Sequence, residues 1–300
     1  MSLIERLTAV VGAGHVSADP DVLAGRVVDH TGRYRGHAQA LVRPGNDEEV
    51  AAVLRVCRDA GAYVTVQGGR TSLVAGTVPE HDDVLLSTER LSTIGTVDTA
   101  ERRVRVGAGA TCAAVQHAAA ATGLVFGVDL ASRDSATVGG MASTNAGGLR
   151  TVRYGNMREQ VLGLDVALPD GSLVRRHSQV RSDNTGYDLT SLFVGAEGTL
   201  GVITGLDLRL HPVPPHRRLP RTRVGSVRVG STSTAARMGG SRTSPRRVRS
   251  IPNVWQRLRS RRRCRPVTTC CWRTCRSPAP RPSDKPVSST TRVPAPRNPS

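Results

Sequence analysis

What this chain can fold into is limited most by a change of chemistry just past Pro215. Residues 1–215 carry 20 arginines, no lysine and 23 acidic residues, a formal charge of −3. Residues 216–300 carry 22 basic residues against one acid, Asp284, for a charge of +21. The overall +18 would suggest a nucleic-acid binder, yet it belongs almost wholly to the last 85 residues. There Arg, Ser, Pro and Thr fill 53 positions, and prolines recur from Pro278 to Pro299. Such a segment buries too little apolar surface to offset its conformational entropy, so disorder is the expectation. A basic arm for RNA or DNA is one reading, through phosphate neutralisation without sequence readout. Cys264, Cys270, Cys271 and Cys275 lack the paired spacing and the histidines of a metal site. The chain has one lysine, Lys285, against 41 arginines, the mark of GC-rich coding DNA. Out-of-frame reading of such DNA gives Arg, Pro, Ser, Thr and Ala codons. The tail from about 216 therefore reads best as frameshifted sequence, and no specific nucleic-acid partner is expected.

The first 215 residues are rich in Val, Leu and Ala and long enough to bury a core. No apolar run approaches the ~20 residues of a membrane span. Glu5 and Arg6 precede an apolar run too short for a secretory signal. Cys57 and Cys112 are the only cysteines there, which argues against a disulfide framework and makes a reducing compartment, by default the cytoplasm, the expectation.

Residues 38–42 read as a strand. Asn46 and Glu49 form a capping-box pattern for the helix that follows. Val50, Val53, Leu54 and Cys57 recur at i, i+3, i+4 and i+7, so one helical face is buried, and Gly61 ends the helix. Residues 63–66 make a second strand, giving a βαβ unit with locally parallel pairing, and 84–87 a further strand. Beyond residue 93 the texture becomes antiparallel. Residues 93–97 and 103–106 suggest a hairpin, 111–121 an alanine-rich helix, and 161–168 with 173–176 a second hairpin across Pro169-Asp170-Gly171. Residues 202–210 alternate clearly. The predicted architecture is α+β in two subdomains, a small parallel α/β piece and a larger antiparallel one. Three regions follow: a helical or irregular lead-in over 1–37, a folded domain over 38–215, and the basic tail over 216–300.

Two glycine-rich loops stand out. QGGRTSLVAG (67–76) directly follows a buried strand, and its glycines can present backbone N–H groups to an anion, with Thr71 and Ser72 adding hydroxyls. A diphosphate is its natural guest. SATVGGMASTNAGGLRTVRYG (135–155) costs backbone entropy that a ligand or a close chain approach must justify. Gly12-Ala13-Gly14 is a decoy, because Ser17 replaces the third glycine of a dinucleotide fingerprint and no βαβ context follows. GTLG (198–201) lacks the Lys-Ser/Thr of a nucleotide triphosphate loop.

The ordered blocks LVRPGNDEEVAAVLRVCRDAG (41–61), VTVQGGRTSLVAG (64–76), VRVGAGAT (104–111), LVFGVDLASRDSATVGGMASTNAGGLRTVRYGNM (124–157), VLGLDVALPDGSLV (161–174) and DNTGYDLTSLFVGAEGTLGVIT (183–204) together resemble one family. It is the FAD-linked oxidases, which include D-lactate dehydrogenase, the glycolate oxidase FAD subunit and D-2-hydroxyglutarate dehydrogenase. The resemblance implies a PCMH-type FAD-binding domain and oxidation of a D-2-hydroxy acid such as lactate, glycolate or 2-hydroxyglutarate. Hydride would pass to FAD, with a quinone, another flavoprotein or oxygen as electron acceptor. It places Gly68, Gly69, Arg70, Thr71, Ser72 and Leu73 around the diphosphate. Relatives with a covalent flavin often have histidine where Arg70 stands, so non-covalent FAD is implied. Asp129, Ser135, Thr137, Gly139 and Gly140 match the segment along the flavin. Asn145, Ala146, Gly147, Gly148 and Tyr154 match the rest of that loop. Glu197, Gly198, Gly201, Val202 and Ile203 match the return strand whose backbone contacts the cofactor.

Family members continue past residue 215 into a cap that supplies a carboxylate-gripping arginine and an H-x-x-x-G-D-G-N-x-H pattern, and neither occurs in 216–300. The expectation is a chain that holds FAD weakly or not at all and lacks full turnover, unless a separate cap subunit completes it. No catalytic residue and no metal ligand can be assigned. His30, His37, His81, His117 and His177 are scattered singly, and Arg133, Arg150 and Arg153 could face phosphate or substrate as readily as solvent.

Overall fold

The structure, a computed structural model, describes residues 1–177 and 186–215; the basic tail and its expected disorder lie outside the described residues. Helix α1 (Leu3–Val11) opens with a reciprocal capping box. The Glu5 amide donates to Ser2 Oγ at 3.2 Å, and the Ser2 amide donates to the Glu5 carboxylate at 2.8 Å. Leu7 and Val11 are buried, and the helix packs against α3 (Asp47–Ala60). Strand β1 (Val16–Ser17) and the short α2 (Pro20–Ala24), capped by Asp19, complete residues 1–37.

The first sheet has the order β1-β2-β4-β3, with β2 at Ala38–Val42, β3 at Val64–Gln67 and β4 at Asp83–Ser87. Strands β2 and β3 flank α3 in sequence as expected, yet they are not neighbours. Each pairs in parallel with β4, which lies between them. All five residues of β4 are buried, and a strand covered on both faces belongs at the centre of a sheet. β1 is antiparallel to β2. Asn46 caps α3 by accepting from the Glu49 amide at 2.8 Å. The carboxylate of Glu49 reaches one residue further back than a capping box requires and accepts from Gly45 N–H at 2.7 Å. Gly61, at φ 67°, ends the helix in the left-handed conformation.

The second sheet is antiparallel, in the order β5-β9-β7-β8, with β6 also on β9. Its strands are β5 (Arg103–Gly107), β6 (Leu124–Phe126), β7 (Val161–Ala167), β8 (Leu173–Arg176) and β9 (Val202–Pro212). The hairpin expected from 93–97 and 103–106 forms as an antiparallel pairing without a full strand over 93–97: Gly95 N–H donates to Arg105 and Gly107 N–H to Thr93, both at 2.8 Å. The bridges are Ile94 to Val106 and Asp98 to Arg103, and Ile94 and Val97 pack against the second core. The helices of this half are α4 (Cys112–Ala120), α5 (Val138–Ser143), α6 (Thr151–Tyr154), α7 (Met157–Gln160) and α8 (Leu189–Phe193). At its outset β9 serves both halves. Val202 and Ala167 pack in the first core, while Ile203, Leu206, Leu208 and Leu210 pack in the second. On the outer face of the second sheet, Arg105, Asp165 and Asp207 form an ion network, with Arg105 3.2 Å from Asp207, and the His177 imidazole lies 2.7 Å from Asp165 and 2.8 Å from Asp207. No helix among the described residues is long and apolar enough to cross a membrane.

Candidate cofactor site

Strand β3 delivers the buried Gln67 to the seam between the two sheets. Its side-chain amide donates to the carbonyls of Arg26 (2.8 Å) and Thr77 (2.9 Å), closing the base of the first glycine loop. The glycines that follow are required by a neighbouring chain. A Cβ on Gly69 would overlap the Ser135 carbonyl, and one on Gly68 would overlap the Thr137 hydroxyl. The two glycine-rich loops therefore touch at their starts, so the Ser135 backbone accounts for Gly69 and the Thr137 side chain for Gly68 without reference to an anion. Residues 107–112 are stitched to the second loop by hydrogen bonds from Cys112 N–H to Ala136, Val138 N–H to Ala110 and Gly139 N–H to Ala108, all at 2.8–2.9 Å. Gly139 packs directly on Ala108.

These three segments wall a cleft of about 440 Å³. From the residues predicted by sequence, it gathers Gly68, Gly69, Arg70, Ser135 and Thr137. Thr71, Ser72 and Leu73 are not among its lining residues; Ser72 Oγ accepts from Val74 N–H at 3.3 Å, and Leu73 is exposed. Asp129 lies behind the second loop. Its carboxylate meets Arg150 at 3.1 Å, Arg133 at 3.5 Å and the Gln116 amide at 3.3 Å, so two of the arginines considered for phosphate are engaged with it. Its carbonyl leaves no room for a Cβ on Gly148. Gly140 donates its N–H to Thr137 Oγ1 at 3.4 Å, within α5. Asn145, at φ 48°, accepts Arg158 N–H at 3.0 Å, and Ala146 accepts Met157 N–H at 2.9 Å. Gly147 sits against Asn156 and Thr151, and the Tyr154 ring lies 4.6 Å from His211. Arg153 stacks over Tyr154 at 5.3 Å. Glu197 (φ 51°) and Gly198 (φ 79°) form a turn pinned by Glu197 N–H to Ser143. Gly201, Val202 and Ile203 then enter β9 against β7. These later residues do not line the cleft.

Arg26, Glu89, Ser92, Gly109 and Thr111 also line the cleft and were not singled out in the sequence. Gly109 and Thr111 lie in the block VRVGAGAT. Arg26 and Glu89 belong to no pattern, and only folding brings them here. The donor set, two guanidiniums with several hydroxyls and glycine backbone, is that of a polyanion site. Burial and the nearby charge of Arg26 both hold the Arg70 guanidinium below its ordinary value. A dinucleotide diphosphate fits this chemistry, and the cleft is in the size range of cofactor sites. Burial pushes the Cys57 thiol up to about 12 and that of Cys112 to about 11, so neither is poised as a nucleophile.

Comparison with known proteins agrees with this chemistry. Residues 38–176 match the FAD binding domain family. The chain is 39% identical over 201 residues to mitochondrial D-2-hydroxyglutarate dehydrogenase of Bos taurus, covering 67% of this chain and 37% of that protein. It is 40% identical over 195 residues to the Danio rerio enzyme of the same name, covering 65% and 37%. Among solved structures, alkyldihydroxyacetonephosphate synthase aligns with a TM-score of 0.64 at 19% identity, over 71% of this chain and 41% of that one, a likeness of fold. The cytoplasmic expectation is overturned by these relatives, which are named as mitochondrial. Two buried cysteines report only on disulfide use, and a mitochondrial matrix is reducing too. Through residues 38–176, which carry its FAD binding domain, the chain belongs to the FAD-linked oxidase family.

Proposed function

We propose that this chain holds FAD non-covalently, with the diphosphate in the cleft between the two glycine-rich loops, and that it serves oxidation of a D-2-hydroxy acid. The carrying observation is the convergence of Gly68, Gly69, Arg70, Ser135 and Thr137, all inside the segment matched by the family, on one cleft that Arg26 also lines. When bound, the flavin supplies the hydride acceptor. The chain's own residues neutralise the diphosphate, and their close loop contacts keep that wall of the cleft rigid. Because Arg70 stands where a covalent attachment would use histidine, the cofactor is held by contacts alone. Thr71 to Leu73, the 139–154 segment and 197–203 do not line that cleft and are given no contact with the diphosphate in this proposal.

D-2-hydroxyglutarate is the substrate favoured by the relatives' names, with D-lactate and glycolate in the same chemical class. The chain spans 37% of the length of those relatives. The described residues accordingly supply the cofactor side of the reaction in this proposal. The grip on the substrate carboxylate and the base for its hydroxyl come from elsewhere, in a separate cap chain for example, and the acceptor is a quinone or another flavoprotein. The purified full chain is expected to bind FAD, weakly in keeping with the sequence, seen as retention at equilibrium when it is ultrafiltered with excess FAD. Acid precipitation should release all of the flavin to the supernatant. Absence of any bound flavin at saturating FAD would overturn the cofactor reading, and flavin retained in the acid pellet would overturn the non-covalent one.

A further inference from the structure

The cleft contains an ion arrangement that the sequence blocks do not reveal. Arg26 follows α2, outside the 38–176 segment, and its guanidinium pairs with Glu89 at 2.9 Å. Glu89 also faces Arg43 at 3.6 Å. Arg70 donates from Nη1 to the carbonyl of Gly25 at 2.5 Å, which brings its side chain beside Arg26. Two guanidiniums thus share the Glu89 carboxylate with that of Arg70 nearby, and Arg26, Arg70 and Glu89 all line the same cleft. A local excess of positive charge at a partly buried site is unfavourable unless a further anion joins it. The repulsion is visible in Arg70, lowered by burial and then by the charge of Arg26.

The geometry points to Arg26 as a diphosphate-binding residue that exchanges partners, paired with Glu89 when the cleft is empty and with the cofactor's phosphates when it is filled. Glu89 is then a competitor for Arg26, since both anions need the same guanidinium. The inference rests on FAD binding in this cleft and adds to it a residue outside the family segment and a negative influence within it. A guanidinium fork can serve a carboxylate or a phosphate with similar bidentate geometry, so the exchange requires no large rearrangement.

Two substitutions with opposite effects test it, using the full chain and two probes, FAD by quenching of its fluorescence and ADP by calorimetry. Arg26→Gln is expected to weaken both by about 10- to 100-fold, the value of a charge-assisted hydrogen bond expressed as affinity. Glu89→Gln is expected to tighten both. Arg26→Lys, which keeps the charge and loses the fork, should recover part of the loss, and circular dichroism of all three variants should match the wild type. If Arg26 only braces the fold through Glu89, both Gln variants weaken binding alike, and the proposal is overturned. It is equally overturned if Arg26→Gln, folded, binds ADP within twofold of wild type while wild type binds FAD. If wild type binds neither probe, the cleft itself is misassigned and the proposal falls with it.

Discussion

Gly68 and Gly69 show how a residue's meaning can differ from its motif. In sequence they read as N–H donors for an anion; in the structure each is forced to be glycine by Thr137 or Ser135 on the facing loop. Gly76, in the same loop, faces open space. Gly69→Ala is therefore expected to lower stability by about 1–3 kcal/mol, as overpacking does, and to weaken FAD binding by parting the loops. Gly76→Ala should leave both within experimental error. Thermal melts with and without FAD check this, and equal behaviour of the two variants would refute the loop contact. At this scale sequence gave the loops but not their partners. Ser135 and Gly69 are 66 residues apart, and nothing local to either announces the other. The same holds for Arg26 and Glu89, single charges outside any periodic pattern, which only the fold brings to one cleft.

Elements were more readable than their order. Helix α3 was legible from Asn46 to Gly61, because a cap, a buried stripe and a left-handed glycine all lie within one local stretch. The place of β4 between β2 and β3 was not, since strand order is set by which apolar face needs covering on both sides. The ion network of Arg105, Asp165 and Asp207 was hidden for a related reason. Each charge looks like an outward residue on its own strand, and only the register sets Arg105 opposite Asp207. Another cross-element contact ties α3 to β8, where Arg175 meets Asp47 and Glu48, both at 2.7 Å. Burial, the largest single influence, would raise the Asp47 carboxyl, but the Arg175 hydrogen bond and charge, with hydrogen bonds from its own backbone and Glu48, together hold it below its usual value. A carboxyl lowered in the folded state adds stability above its unfolded pKa, near 3.9. That contribution fades as pH falls through the lowered folded value. Asp47→Asn should thus cost under about 1 kcal/mol at pH 7, as exposed pairs do, and nothing in strong acid. Urea unfolding at pH 7 and at pH 2 measures the difference; an equal cost at both would remove the ion pair as its cause.

Across the whole molecule, β9 prevents the two halves from behaving as independent domains. Val202 and Ile203 are consecutive, yet one is buried in each core, and Ala167 on the adjacent β7 shares the first core with Val202. Unfolding either half would strip apolar partners from the other, so a single cooperative unit is expected. Hydrogen exchange read by mass spectrometry should give the most protected amides of α3 and of β7 the same opening free energy. Val202→Ala should lower both together, and a drop confined to α3 would show the halves to be separable. The two-subdomain reading from sequence correctly located the parallel and antiparallel pieces, but residues 202–203 carry no local sign that a single strand would pin them together. The short β1 has a consequence of another kind. It lies along β2 at the outer edge of the first sheet. A fragment trimmed to the family boundary at residue 38 would keep every matched residue and still uncover that edge, leaving backbone donors and acceptors of β2 open to a strand from another molecule. Such a fragment should self-associate where the longer chain does not, which makes residues 1–17 a guard against aggregation as well as a part of the fold.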